Sequence, residues 1–135
     1  MVVVVGYIPT PEGRAALTAA IEQARLRGAR LLVVNASRGD ARWGESSPRG
    51  NGWDLVEGEI TAAGIEHQLI QDLGSSDVAE QVLDLATTHD ARLIVIGLRR
   101  RSPLGKLILG SAAQRILLEA TCPVYAVKAE SPPQR

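Results

Sequence analysis

The chain has 135 residues, enough to bury a core as one domain and too few for a two-domain enzyme. Hydrophobic residues make up 45% of it, but aromatics only 3% and Phe is absent, so the core must be built from Val, Ile, Leu and Ala. With 15 Lys and Arg against 15 Asp and Glu, the zero net charge excludes a global attraction to nucleic acid or an anionic membrane, and neither is an expected partner.

The single cysteine, Cys122, excludes an intrachain disulfide, and the short apolar start lacks the basic flank of a signal segment, so a cytoplasmic location is expected. His67, His89 and Cys122 have no metal-ligand spacing, and no intrinsic metal site is expected.

Val2 to Val5 is a β-branched run ending at Gly6, a first strand whose glycine permits close approach. Leu17, Ala20, Ile21 and Ala24 fall at helical spacing between Pro11 and Arg27, with Gly28 placed to cap the end. Leu31 to Val34, closed by Asn35, is a second strand. Residues 37–52, rich in Gly, Ser and Arg, read as a lid or variable loop. Trp53, Val56, Ile60 and Ala63 then mark a second helix ended by Gly64.

Ile65 to Leu73 mixes polar and apolar residues, as a water-facing edge strand does. Ser75, Ser76 and Asp77 supply caps for a third helix with an inner face of Val78, Val82, Leu85 and Ala86. Leu93 to Ile96 has no polar alternation and reads as a strand covered on both faces. A basic loop follows, then a fourth helix marked by Ala112, Ala113, Ile116, Leu117 and Ala120. Pro123 precedes a last strand, Val124 to Val127. Residues 1–129 form the domain and 130–135 a disordered tail. Alternating strands and helices imply right-handed parallel crossovers and a three-layer α/β/α sandwich.

The stretch from Leu93 to Ser111 carries the chemistry, because ligands of open α/β sheets bind beyond the strand ends, where a helix N-terminus offers free N–H groups to an anion. Gly97, two residues, Arg100, nine residues, then Gly110-Ser111 follows the spacing of the G-x2-G-x9-G-[S/T] loop of the universal stress protein (UspA) family. Ala120-Thr-Cys-Pro-Val-Tyr-Ala-Val127 resembles that family's last strand. The resemblance spans essentially the whole chain. It implies an adenine nucleotide alpha-hydrolase-like (Rossmann-like) fold, a five-stranded parallel sheet of order 3-2-1-4-5, and a homodimer paired through Val124, Tyr125, Ala126 and Val127. It further implies an adenine nucleotide, ATP with Mg or AMP, at the loops after strands 1, 2 and 4. Gly97, Gly110 and Ser111 would then meet the phosphates, with the N–H of Ala112 beside them, and Val34 would lie against the base.

Two positions depart from the pattern. Arg100 stands where nucleotide-binding members carry a second glycine, and its Cβ restricts the backbone. Arg99, Arg100, Arg101 and Lys106 nevertheless bring cations to that loop, either as phosphate-binding guanidinium groups or as solvated charges. After the first strand, relatives place an aspartate for the ribose or base. This chain has Gly6-Tyr-Ile-Pro-Thr10, in which Tyr7 either stacks on a base or points outward. Ser111 reads as an N-cap, a phosphate ligand, or both.

Other chemistries fail on spacing. Gly105-Lys106 lacks the earlier glycine and following Ser/Thr of a P-loop, and the first loop lacks G-x-G-x-x-G. No nucleophile, base and orienting acid group by spacing. The expectation is a regulatory nucleotide-binding homodimer, at most a slow ATPase. The alternative is a dimeric interaction module of the same fold that binds no nucleotide, or, for the last strand, a covered edge in a monomer.

Overall fold

A computed structural model describes residues 1–35, 52–70, 77–100 and 107–129. Residues 37–51 of the expected lid, Ser75, Ser76, Arg101, Lys106 and the 130–135 tail lie outside the described residues, and Gly52, expected to end the lid, opens a helix. The elements are β1 (Val2–Tyr7), α1 (Pro11–Arg27), β2 (Arg30–Asn35), α2 (Gly52–Ala62), β3 (His67–Ile70), α3 (Val78–Thr88), β4 (Leu93–Arg100), β5 (Leu107–Ile108), α4 (Ser111–Glu119) and β6 (Val124–Lys128).

Five strands pair in parallel in the order β3-β2-β1-β4-β6. This is the expected order, with β6 as the fifth parallel strand. The register sets Val3 opposite Leu31 and Leu93, and Ile94 opposite Val124. Strand alternation divides the core into two. Val3, Val5 and Tyr7 pack with Ala16, Leu17 and Ala20 of α1 and with Val56 and Ile60 of α2. Val2 and Val4 pack on the other face with Val78, Val82 and Ala86 of α3 and Ile116 of α4. Each fully buried Val, Leu or Ile contributes about 1.5–3 kcal/mol, and the Ala stripe of α1 lets that helix settle close to the sheet without aromatic filling.

Local chemistry sets the helix ends. Thr10 accepts the Gly13 amide at 3.1 Å and Pro11 opens α1, while Gly28 closes it at φ 64°, a left-handed conformation that only glycine adopts cheaply. Asp77 is the N-cap of α3, accepting the Glu80 amide at 2.8 Å. Among the described residues no helix is long and apolar enough to cross a membrane.

Two expectations are corrected. The segment after Ile96 is not a loop from Gly97 onward. β4 runs on to Arg100, where Arg99 and Arg100 pair antiparallel with Ile108 and Leu107 of β5. Leu117 does not join the inner face of α4. It is exposed, as is Leu118, and Ile116 is the buried residue of that helix, because α4 covers the sheet near its end and only one side meets it.

Candidate functional site

β1 and β4 are neighbours, yet the chain leaves them toward opposite faces of the sheet, β1 into α1 and β4 toward α4. A crevice opens at such a switch of direction, beyond the strands' carboxyl ends. Here it is a cleft of about 420 Å³. Gly6 and Ile8 line it from the exit of β1, and Ile96 and Gly97 from β4. Helix first turns make up most of the remainder: Glu12 and Gly13 of α1, Asp77, Val78 and Ala79 at α3, and Gly110 to Ala113 at α4.

Each of these helix starts adds partial positive charge to the cleft. They differ in what satisfies their first amides. Thr10 caps α1 and Asp77 caps α3, but the N-cap of α4 is Gly110 (φ −70°, ψ 167°), which has no side-chain acceptor to give. Ser111 is therefore the first helical residue and not the N-cap its residue type suggests. The first amide bonded within α4 is that of Gln114, to the Gly110 carbonyl at 3.0 Å. The amides of Ser111, Ala112 and Ala113 precede the helix's own ladder. All three residues line the cleft, an arrangement that accepts an anion.

Charged side chains frame this wall. Glu12 lines the cleft from α1, and Asp77 and Arg115 line it from α3 and α4. Arg115 Nη1 donates to Asp77 Oδ2 at 3.2 Å, and its Nε donates to Glu119 at 3.3 Å.

The structure brings Gly97, Gly110, Ser111 and Ala112 to this one cleft. Gly97 also has a second role. A Cβ there would run into the carbonyl oxygen of Glu12, so its lack of a side chain lets the first turn of α1 sit against β4. Tyr7 is a correction. Its ring is 2% exposed and packs in the core on the α1 and α2 face, so it neither stacks on a ligand nor points outward. The Arg14 guanidinium donates to the Tyr7 hydroxyl, and this contact first, then Glu59, holds Arg14 above its ordinary range against the opposing effect of burial. Arg14 also meets Glu59 of α2 at 3.0 Å.

The Val34 side chain is fully buried against the α3 side of the core and is not part of the cleft wall. The main chains of Arg99 and Arg100 are placed by β4, but their side chains lie outside the described residues. Val124, Tyr125, Ala126 and Val127 lie on β6, at the end of the sheet, away from the cleft.

Sequence reasoning missed Arg115 and undervalued Glu12 and Asp77. Arg115 follows Ser111 at i, i+4, which puts both on one helix face; that spacing was the available signal. Asp77 read only as a cap because its contact with Arg115 spans 38 positions.

Residues 1–128 match the Universal stress protein family. A universal stress protein of Mycolicibacterium smegmatis is 44% identical over 126 residues, which cover 93% of this chain and 96% of the relative. The chain belongs to the universal stress protein family. Among solved structures, a universal stress protein from Archaeoglobus fulgidus is 32% identical with a TM-score of 0.77, over 95% of this chain and 98% of that one. Another from the same organism, solved in complex with dAMP, is 26% identical with a TM-score of 0.72, over the same shares. The resemblance seen in Gly97 to Ser111 and in residues 120–127 thus extends over the universal stress protein fold as a whole.

Proposed function

We propose that this universal stress protein binds an adenine nucleotide in the cleft between β1 and β4, with the phosphate on the first turn of α4. The observation that carries the reading is the Gly110 N-cap, which leaves the amides of Ser111 to Ala113 for an anion at the sheet's switch point. The dAMP complex of the Archaeoglobus fulgidus relative supports it. Gly97, Gly110, Ser111 and Ala112 form the phosphate side of the site, and Arg99 and Arg100 add charge from the end of β4. ATP with Mg and AMP are the candidate ligands, and the output is regulatory: the nucleotide alters loop order or partner binding in a cytoplasmic protein, with any hydrolysis slow and incidental.

The protein acts as a homodimer through β6. In support, β6 pairs only with β4 among the described residues, and Tyr125 and Ala126 are exposed along it. An apolar open edge is a template for a second copy.

One observation favours a second reading, a dimeric interaction module without nucleotide. Asp77 brings a carboxylate to the cleft wall beside Arg115, and like charge repels phosphate. Calorimetric titration of Mg-ATP, and separately AMP, into nucleotide-stripped protein at modest salt decides between them. Micromolar or tighter binding is expected. No heat up to millimolar ligand, with no thermal shift, would establish the nucleotide-free module instead.

A further inference from the structure

The Asp77 carboxylate serves two partners. Its Oδ1 accepts the Glu80 amide at 2.8 Å and caps α3, while its Oδ2 accepts from Arg115 Nη1 at 3.2 Å. The pair ties the start of α3 to the second turn of α4 across the cleft wall that both residues line. It is a wet contact, with Arg115 38% and Asp77 53% exposed, and exposed ion pairs of this kind contribute little to stability. Arg115 spends its guanidinium on two separate single contacts, Nη1 to Asp77 at 3.2 Å and Nε to Glu119 at 3.3 Å, and not on the paired grip of one anion for which it is built.

Arg115 is well placed for a different anion. Ser111 lies one turn earlier on the same face of α4, and helical side chains lean toward the N-terminus of their helix. The reach of Arg115 therefore runs over the first turn, where the amides of Ser111 to Ala113 stand outside the helical ladder. A phosphate seated on those amides comes within the arc of the guanidinium. Swinging Arg115 over that turn gives up its contacts with both Asp77 and Glu119 but strands no buried charge, because the two carboxylates are 53% and 54% exposed and Asp77 keeps its bond to the Glu80 amide.

We propose that Arg115 is a phosphate-binding residue of this cleft, handed from Asp77 to the ligand's phosphate on binding, so that Asp77 sets how firmly phosphate-bearing ligands are held. The proposal rests on the nucleotide reading and adds to it a cation that comes from α4 and not from the basic loop. It also assigns the cleft's carboxylate a purpose: a competitor that releases Arg115 only to an anion gripping better than a monodentate carboxylate does.

The test compares AMP with adenosine, which lacks the phosphate, on wild type, Arg115→Gln and Asp77→Asn. AMP is titrated by calorimetry and adenosine by amide NMR shifts at millimolar concentration. Arg115→Gln is expected to weaken AMP about tenfold, the scale of a lost charge-assisted hydrogen bond, and to leave adenosine unchanged. Asn is as good an N-cap as Asp, so Asp77→Asn keeps α3 intact and is expected to tighten AMP several-fold, again without effect on adenosine. Equal losses for both ligands in Arg115→Gln, or no change of AMP affinity in either variant, would overturn the proposal and leave the pair as a brace between helices. If wild type binds neither ligand, the nucleotide reading falls, and inorganic phosphate is the remaining probe. Shifts of the Ser111 to Ala113 amides in wild type that vanish in Arg115→Gln would uphold Arg115 even then; their absence in wild type would overturn it too.

Discussion

Gly97 of β4 lies against the main chain of Glu12, so close that a Cβ at position 97 would meet the Glu12 carbonyl oxygen and carbonyl carbon. This contact seats the first turn of α1 at the mouth of the cleft. Its cause is steric, since Gly97 belongs to a regular strand and does not have a positive φ. Gly97→Ala is therefore expected to push α1 outward and destabilise the fold by about 1–3 kcal/mol, as overpacking a close contact does. Urea denaturation of the variant checks this. A stability equal to wild type would mean that α1 can yield freely, and would leave Gly97 with a ligand-side role alone.

Tyr7 joins β1 to α1 through the hydrogen bond from Arg14, and Arg14 in turn joins α2 through Glu59. The hydroxyl sits on a residue that is 2% exposed, so removing it takes one shielded partner from the Arg14 guanidinium, which keeps its contact with Glu59. Tyr7→Phe is expected to cost about 1 kcal/mol of stability, the usual net worth of one hydrogen bond, with AMP affinity unchanged because the ring is outside the cleft. A loss of affinity larger than the loss of stability would return Tyr7 to the site.

Much of the architecture was readable because it rests on local rules. The Val run of β1, the Ala and Leu stripe of α1 and the cap at Gly28 each identify their element without help from the rest of the chain. Tyr7 is different: its place after Gly6 suggests a loop residue that stacks or points outward, whereas β1 continues through it, and its parity with Val3 and Val5 puts it on their face of the sheet. β5 was not readable, since two apolar residues among Gly, Pro and Lys carry no period, and its pairing with Arg99 and Arg100 is tertiary. The α4 cap misled for a different reason. Serine is a preferred N-cap by type, but the chain reaches the helix with Gly110 in the extended conformation, and the backbone outweighs the preference. Strand order came from family resemblance alone, because alternation of strands and helices does not determine it.

With Ser111 at the first helical position, its hydroxyl is not needed for capping. Ser111→Ala is expected to leave helix stability close to wild type while weakening AMP by about 1 kcal/mol or more, the scale of a lost hydrogen bond to a charged group. Thermal melts and calorimetry on the same preparation separate the two effects. Unchanged affinity would remove the Ser111 side chain from the site and leave only its amide. A fall in stability without a fall in affinity would instead mean that the hydroxyl supports the helix.

The open edge of β6 can be tested without disturbing its inner ladder. The Ile94 amide donates to the Pro123 carbonyl at 3.1 Å, and with Ile94 opposite Val124 and Ile96 opposite Ala126 the parallel pattern gives Tyr125 and Val127 the bonds to β4. The main-chain groups of Val124 and Ala126 then face outward. Proline at an edge position whose N–H faces away from the sheet is tolerated by the fold but removes a donor that a second copy needs. Ala126→Pro is therefore expected to turn the homodimer into a folded monomer, read by light scattering for mass and by circular dichroism for fold. A dimer mass in a folded Ala126→Pro variant would show that the copies meet elsewhere. The exposed Leu117 and Leu118 of α4 would be the next place to substitute, because they are a further exposed apolar pair among the described residues.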